Sequence, residues 1–581
     1  MAPVEASQLP EFGREFLGAD RTFTRIGSGG IGGKAAGLLN ARDDVLSSLP
    51  SDSFPEFDVA VPTLTVIATD VFDSFMERNE LYEVALSDAD DEAIARAFQT
   101  AEFPAEFVGD LRSLISETHT PLAVRSSSLL EDALAHPFAG VYGTKMIPNN
   151  QAEIDTRFHR FVEAIKFVYA STFFAGPRSY MQTIDEDIRN EKMAVVVQEI
   201  VGARWNSRFY PAISGVGRSY NFYPTGRSRP SDGVVNLALG LGKEIVDGGI
   251  TWTYSPEHPK APPPYADVGD LMKNTQSGFW AVNMGPAPPH DPIKETEYLV
   301  RASLEDAEAD GSLSKLCSTY DSRSERMRPG LRKDGPKVLD FAPVLTLDVL
   351  PLNELIVELI DRTKEATGSD IEIEFAVALD PLERKKPRFG FLQARPMMVS
   401  LEEVSIDDSE LDASSTLVSS TNVLGNGERH DITDIVYVRP DAFEAKHTQR
   451  IATELQEVNR ALVREGRPAI FIGFGRWGSS DPWLGIPVDW GQISSARVIV
   501  EATLPDMNPD LSQGSHFFHN LLSFHVLYLS VPHSAAPGIR WDELLAMPAF
   551  AETDFVRHVR SEGPLNVRVD GRSGRGVIRH A

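Results

Sequence analysis

The sequence predicts a mixed α/β protein of the α+β class, built as more than one domain. Three observations predict it. Apolar runs of strand length recur, as in residues 121–125 (PLAVR) and 193–201 (MAVVVQEIV). Between them a helical pattern covers 151–173, where Ile154, Phe158, Phe161, Val162, Ile165, Val168 and Tyr169 share one face. The chain has 581 residues, enough for about two to four domains.

The elements follow in order. Residues 1 to about 20 form a polar lead-in. Gly27-Ser-Gly-Gly-Ile-Gly-Gly-Lys34 is Gly-rich and runs into AAGLLNAR, which has helical character. After the strands and helix already named comes a second Gly-rich segment, 237–249. Residues 255–335 are Pro-rich and charged, and are expected to be an irregular insertion with some helix near 293–310. A helix over 353–366 and strands over 370–376 and 390–395 follow. The acidic, Ser-rich stretch 401–420 reads as a linker, and 421–581 as a separate C-terminal α/β domain. The expected division is therefore 1–210, 211–400, a linker at 401–420, and 421–581.

Composition narrows the function. The formal net charge is −28 and the sequence pI about 4.9. General nucleic-acid binding needs a basic footprint, so it is excluded. Binding of ATP is not, because a few local cations and backbone N–H groups can hold phosphates. One cysteine, Cys317, rules out an intramolecular disulfide and a Cys-rich zinc site. The N-terminal residues lack the pattern of a signal peptide, and no apolar run approaches the ~18 residues of a membrane span. The expectation is a cytoplasmic protein with no membrane partner.

Three constellations could carry chemistry. Glycines before Lys34 would let backbone N–H groups approach phosphate, though the same run also suits a turn, and its spacing is not that of a P-loop. In Arg125-Ser-Ser-Ser-Leu-Leu-Glu-Asp132, an arginine ends a buried strand, which is costly without an anion. Ser126 to Ser128 could add donors to that anion, or could cap a helix. In Ile371-Glu-Ile-Glu-Phe375, alternation puts Glu372 and Glu374 on one face, ~7 Å apart. They could share magnesium with substrate phosphates, or form a salt-bridged sheet face. Phe391-Leu-Gln-Ala-Arg395 places Gln393 and Arg395 on one face, and a hairpin would bring them to the carboxylates.

Together these blocks resemble the ATP-binding half of the phosphoenolpyruvate synthase and pyruvate, phosphate dikinase family. The matching blocks are Gly32-Gly-Lys-Ala-Ala-Gly-Leu38, Val124-Arg-Ser-Ser127 with Glu131-Asp132 and Phe138-Ala-Gly140, Val196-Val-Gln198, the Gly240-Leu-Gly-Lys243 segment, and Glu372-Ile-Glu374 with Gln393-Ala-Arg-Pro396. They occur in the family's order over roughly 25–400. The resemblance implies an ATP-grasp module with ATP and Mg2+ as cofactors. It implies that Lys34 and Arg125 contact ATP phosphates and that Gln198, Glu199 and Val201 lie at the adenine hinge. Glu372 and Glu374 would hold magnesium, while Gln393 and Arg395 would position the transferred phosphoryl group.

Two positions depart from the pattern. The first acid of the closing strand, usually Asp, is Glu372. The family's GLGE is Gly240-Leu-Gly-Lys243, with Glu244 displaced by one, so Lys243 becomes a candidate phosphate contact. Downstream, 421–581 is too short for the family's (β/α)8 barrel, and carries no phosphohistidine motif of the TSHAA type. It offers a Gly loop at 473–485, with Arg476, Trp477, Asp481 and Trp483, and a segment with His516 and His519. His516 is the candidate phospho-acceptor. The expected function is an ATP- and Mg2+-dependent phosphotransferase acting on a small-molecule or protein acceptor, through a phosphohistidine with AMP release or directly with ADP release. An ATP-grasp ligase and a non-catalytic nucleotide-binding subunit are the alternatives.

Overall fold

The structure is a computed structural model. It describes all residues except 1–8, 14–22, 51, 129–130, 132–139, 184–186, 223, 225, 262–267, 398–403, 480, 482, 506–516, 518–520, 522–524, 537, 572 and 581. The chain forms two compact units. The first comprises Met1–Ser219, Val234–Ile245 and Ile250–Met397. The second comprises Tyr220–Gly233, Val246–Gly249 and Met398–Ala581. Both units combine helices with mixed sheets, consistent with the α+β class. Among the described residues, no helix is long and apolar enough to cross a membrane.

In the first unit a five-stranded sheet runs in the order Phe23–Ile26, Leu64–Ile67, Met193–Glu199, Leu122–Ser128, Thr144–Ile147. Met193–Glu199 is central, with a neighbour on each side. That position explains why residues 193–197 are apolar without alternation. The helix Ile154–Ser171 covers this sheet, burying Phe161, Val162, Ile165, Val168 and Tyr169. A six-stranded sheet runs Trp252–Tyr254, Val234–Ala238, Ile213–Arg218, Ile371–Ala378, Arg388–Pro396, Asp58–Ala60. Leu352–Thr367 packs on it through Leu352, Leu355, Ile356, Leu359 and Ile360, a stripe of helical period. Gly368, at φ 68°, ends that helix in the left-handed conformation that glycine adopts without strain. Ile356 and Ile360 rest over Gly217, where a side chain would crowd them.

Two expectations change. The stretch 255–335 is not irregular throughout. Gly278–Asn283 and Leu299–Ser303 pair antiparallel and join Arg208–Tyr210 and Ala203–Trp205 in a four-stranded sheet. Phe279 and Ala281 alternate into the core, while the Pro-rich residues 286–292 lie between the two strands, where the Asp291 carbonyl accepts from Lys145 at 3.1 Å. The stretch 401–420 is not all linker. Asp408–Leu411 is a helical turn, and Thr416–Ser420 is a buried strand. Glu410 accepts from Arg568 and from Arg579 at 3.0 Å. The acids that suggest a solvated linker thus meet arginines about 160 positions away, a pairing that local composition does not disclose.

The second unit is a nine-stranded sheet among the described residues. Its centre is parallel: Gly427–Val438, Ala469–Phe474, Ala496–Ala502, Leu527–Val531. Thr448–Arg464 is the crossover helix between the first two of these. Val556–Asp570 and Arg575–Arg579 continue the sheet antiparallel on one side. Thr416–Ser420 and Asn422–Leu424 lie at opposite ends of the strand order, yet only Thr421 separates them in the chain. The sheet therefore curls back on itself, and Ser420 Oγ donates to the Ser530 carbonyl across the closure. Ile435, Tyr437, Ile470, Ile472, Val498, Val500 and Leu529 fill its core.

Candidate functional site

The predicted hairpin forms. Ile371–Ala378 pairs antiparallel with Arg388–Pro396, setting Glu372 opposite Arg395 and Glu374 opposite Gln393. A bulge follows Glu374, so the register changes just past the charged pairs. Arg395 is buried and bridges both carboxylates. Its Nε donates to Glu372 Oε1 at 2.7 Å and its Nη2 to Glu374 Oε1 at 2.9 Å. Bidentate guanidinium geometry suits this bridge, which a lysine could not span.

Arg125 enters from the other sheet. It sits within Leu122–Ser128 and donates to Gln393 Oε1 at 2.8 Å, to the Leu392 carbonyl at 3.0 Å and to Gln198 Oε1 at 3.3 Å. Glu374 Oε2 lies 3.8 Å away from it. Arg125, Gln198, Glu374, Gln393 and Arg395, drawn from four strands, thus converge. Gln198 is 2% exposed, and its Nε2 has no partner among the described residues. A buried amide N–H left this way costs about 1–3 kcal/mol, so a ligand acceptor at that point is favoured. Glu199 accepts from Thr120 at 3.1 Å and faces Arg388 at 3.5 Å. Val201 is buried against Ala376, Ala378 and Leu392.

Lys34 meets an internal partner. Its buried Nζ donates to the Ser126 carbonyl at 3.0 Å and to Glu131 Oε1 at 3.1 Å. Among the described residues these occupy two of the three ammonium donors. Ser126 Oγ and Ser128 N also donate to Glu131, and Ser127 Oγ donates to the Ile31 carbonyl. The anion gathered by this serine run is therefore the Glu131 carboxylate. Glycine is needed at 33 for close approach: a Cβ there would lie 1.7 Å from the Glu131 carbonyl oxygen. At Lys243 the segment turns into the short helix Lys243–Val246. The displaced Glu244 is buried and receives Arg301 at 2.6 Å and 3.2 Å, which fixes it structurally.

Sequence reasoning missed Arg218. It ends the strand Ile213–Arg218, is wholly buried, and lies 2.5 Å from Glu372 Oε2. Burial lowers its pKa from the usual arginine value, and Glu372 works against that shift. Nothing local to Ile213–Arg218 marks it as buried; the opposing Glu372 does. Metal-ligand geometry is sparse. Among the described residues, no group of three or more His, Cys, Asp or Glu side chains could hold an ion. Glu374 alone could add a carboxylate to an ion already carried by nucleotide phosphates, a mode that suits magnesium.

In the second unit, Trp477 is buried and its indole N–H donates to the Val500 carbonyl at 3.4 Å. Arg476 Nη1 donates to the Gly248 carbonyl at 2.6 Å. Trp483 is 74% exposed, and its backbone N–H donates to Asp481 Oδ1 at 2.9 Å. Glu501 is fully buried beside Tyr528, which donates to it, and burial raises its carboxyl pKa above the usual range. Asp434 is buried among His558 at 2.7 Å, Arg560 at 2.7 Å and Arg467 at 2.6 Å. Burial alone would raise its pKa, but these hydrogen bonds pull it well below the carboxylate range. His516 and His519 lie outside the described residues, as do Asp132, Phe138 and Ala139.

An α+β unit whose arginines, carboxylates and amides converge in this way suits an anionic ligand. The chain belongs to the family described as pyruvate phosphate dikinase, AMP/ATP-binding domain, which matches residues 29–413. It is similar to the uncharacterized phosphotransferase YvkC of Bacillus subtilis (strain 168), at 28% identity over 194 residues, 33% of this chain and 20% of that protein. It is also similar to phosphoenolpyruvate synthase of Aeropyrum pernix, at 32% identity over 142 residues, 24% of this chain and 15% of that protein. The matched region thus spans a fifth or less of these relatives. The family is one of ATP-binding, phosphotransferase-related proteins.

Proposed function

We propose that this chain is an ATP-dependent phosphotransferase whose first unit holds ATP in an ATP-grasp manner, and whose residues 421–581 serve the acceptor. One observation carries the reading: Arg125 from one sheet meets Gln393 and the Arg395-bridged carboxylates of another, beside the orphaned Gln198 amide. Gln198 Nε2 donates to the nucleotide, with Glu199 and Val201 on the strand exit beside it. Arg125 and the third donor of Lys34 meet phosphate oxygens, and Lys243 opens the short helix that follows the second Gly-rich segment. Gln393 and Arg395 orient the phosphoryl group being transferred. Glu374 is the residue that would hold magnesium, whose chemistry is to neutralise phosphate charge. Phosphoryl transfer asks mainly for such positioning and charge stabilisation, so the set is sufficient without a side-chain nucleophile in the first unit.

The test is incubation of the full chain with ATP labelled separately at the β and γ positions, with and without metabolite mixtures. AMP formation with acid-labile label on the protein supports a phosphohistidine, and peptide mapping asks whether it is His516. ADP formation supports direct transfer. Formation of neither product, together with no saturable ATP binding, overturns the proposal.

A further inference from the structure

Glu372 and Glu374 point to the same face of one strand, yet their surroundings differ. The Glu372 side chain is wholly buried, and both of its oxygens are engaged. Arg218 lies 2.5 Å from Oε2, and Arg395 reaches Oε1 at 2.6 Å and 2.7 Å. Arg218 stands directly across the ladder from Glu372. Its Nη1 donates to Asn236 Oδ1 at 3.1 Å, and Asn236 in turn donates to Thr253 at 2.7 Å. The guanidinium is therefore fixed from both sides. Glu374 keeps 15% of its side chain exposed, and its Oε2 lies 3.8 Å from Arg125, beyond hydrogen-bond distance.

Charge decides what this arrangement admits. Three guanidinium groups, of Arg125, Arg218 and Arg395, surround two carboxylates, so the cluster is net positive. A divalent cation approaching alone meets repulsion in a poorly screened setting, and both Glu372 oxygens are already neutralised. A metal–nucleotide complex is anionic and meets attraction.

We propose that Glu372 is not a metal ligand in this chain but the fixed centre of an Arg218–Glu372–Arg395 array, that Arg218 is a positioning residue for Arg395, and that a divalent cation enters only with the nucleotide, meeting the protein at Glu374. This rests on the reading that the first unit binds ATP. It assigns the longer Glu372 side chain a partner, Arg218, which the sequence pattern leaves unexplained.

The test uses Mn2+ as the probe and the full chain, read by electron paramagnetic resonance with and without the β,γ-imido analogue of ATP. In the wild type, the analogue is expected to tighten Mn2+ binding about tenfold or more. Glu374→Gln should weaken Mn2+ binding in the ternary complex about tenfold, and Glu372→Gln by less than about threefold. Arg218→Met should raise nucleotide-free Mn2+ affinity about tenfold, because a positive charge leaves the site. A merely structural arginine would lower that affinity when removed, so such a loss overturns the positioning role. Equal Mn2+ affinity with and without the analogue overturns the order of entry in the wild type itself, without recourse to a variant. Equal losses in Glu372→Gln and Glu374→Gln overturn the assignment of Glu372. Failure of the analogue to bind overturns the ATP reading and this proposal together, whereas a bound analogue leaves the metal results to judge the proposal alone.

Discussion

Replacing Gln198 with leucine separates the two roles a buried glutamine can play. The side chain is 2% exposed, its Oε1 accepts one hydrogen bond from Arg125 at 3.3 Å, and its Nε2 has no partner among the described residues. The orphaned N–H costs the fold about 1–3 kcal/mol, while a hydrogen bond to a charged group contributes about 1.5–3 kcal/mol at good geometry and less at this length. Leucine removes both, and Arg125 retains Gln393 and the Leu392 carbonyl. The terms nearly cancel, so stability should change by less than about 1.5 kcal/mol. Binding should respond differently. Loss of a donor that meets the nucleotide costs about 1–2 kcal/mol, or roughly 5- to 30-fold in affinity. Titration calorimetry with ATP and magnesium, alongside urea unfolding, measures both quantities. Unchanged ATP affinity refutes the reasoning, and so does a stability loss above about 3 kcal/mol, which would make Gln198 a structural residue.

Three further outcomes follow from the same structure. Glu501 has a folded pKa raised by burial, so the unfolded chain gives up its proton first as pH rises. Its contribution is complete below the ordinary carboxyl pKa of about 4.3 and is lost as pH rises through the folded value. Urea midpoints of Glu501→Gln should therefore match the wild type near pH 4 and equal or exceed it at pH 8; a wild type that gains on the variant with rising pH contradicts this. Asp434 has the opposite sign: its lowered pKa gives stability that is present above about pH 4 and lost as pH falls through the folded value. Because Arg467 and Arg560 keep 36% and 29% exposure, Asp434→Asn should cost about 2–3 kcal/mol at pH 7, and less in acid, by denaturant titration. Gly33→Ala should force the Gly33 backbone away from the Glu131 carbonyl, lowering both the melting temperature and ATP affinity, since an added Cβ would lie 1.7 Å from that oxygen; a variant that matches the wild type in both measurements shows that the close approach is dispensable.

What the sequence disclosed of the site depended on periodicity. Alternation in Ile371–Phe375 and Phe391–Arg395 fixes which side chains share a face, so the meeting of the two carboxylates with Gln393 and Arg395 across a hairpin was legible, while the register that pairs Glu372 with Arg395 and Glu374 with Gln393 was not. Central strands and the helix Leu352–Thr367 were legible for the same reason. Partners set by tertiary packing were not. The reach of Arg125 to Gln393 spans 268 positions, and that of Lys34 to Glu131 spans 97. Neither distance leaves a local trace. Arg218 was hidden because a lone arginine after Gly-Val-Gly suggests the exit of a strand, and only the opposing Glu372 shows that it is buried. Composition misdirected the reading of 255–335 and 401–420, where prolines and acids lie beside short strands and find partners far along the chain.

Equilibrium dialysis of ATP with magnesium, against the wild type and Arg125→Ala, tests the central claim most directly. The account predicts one nucleotide bound per chain, with a dissociation constant in the micromolar to millimolar range typical of enzyme substrates, about 1 μM to 1 mM. Arg125→Ala removes a guanidinium that meets phosphate and anchors Gln393, so binding should weaken about 30-fold or more. Saturable binding that is equal in the two proteins, or no saturable binding by the wild type, would contradict the account.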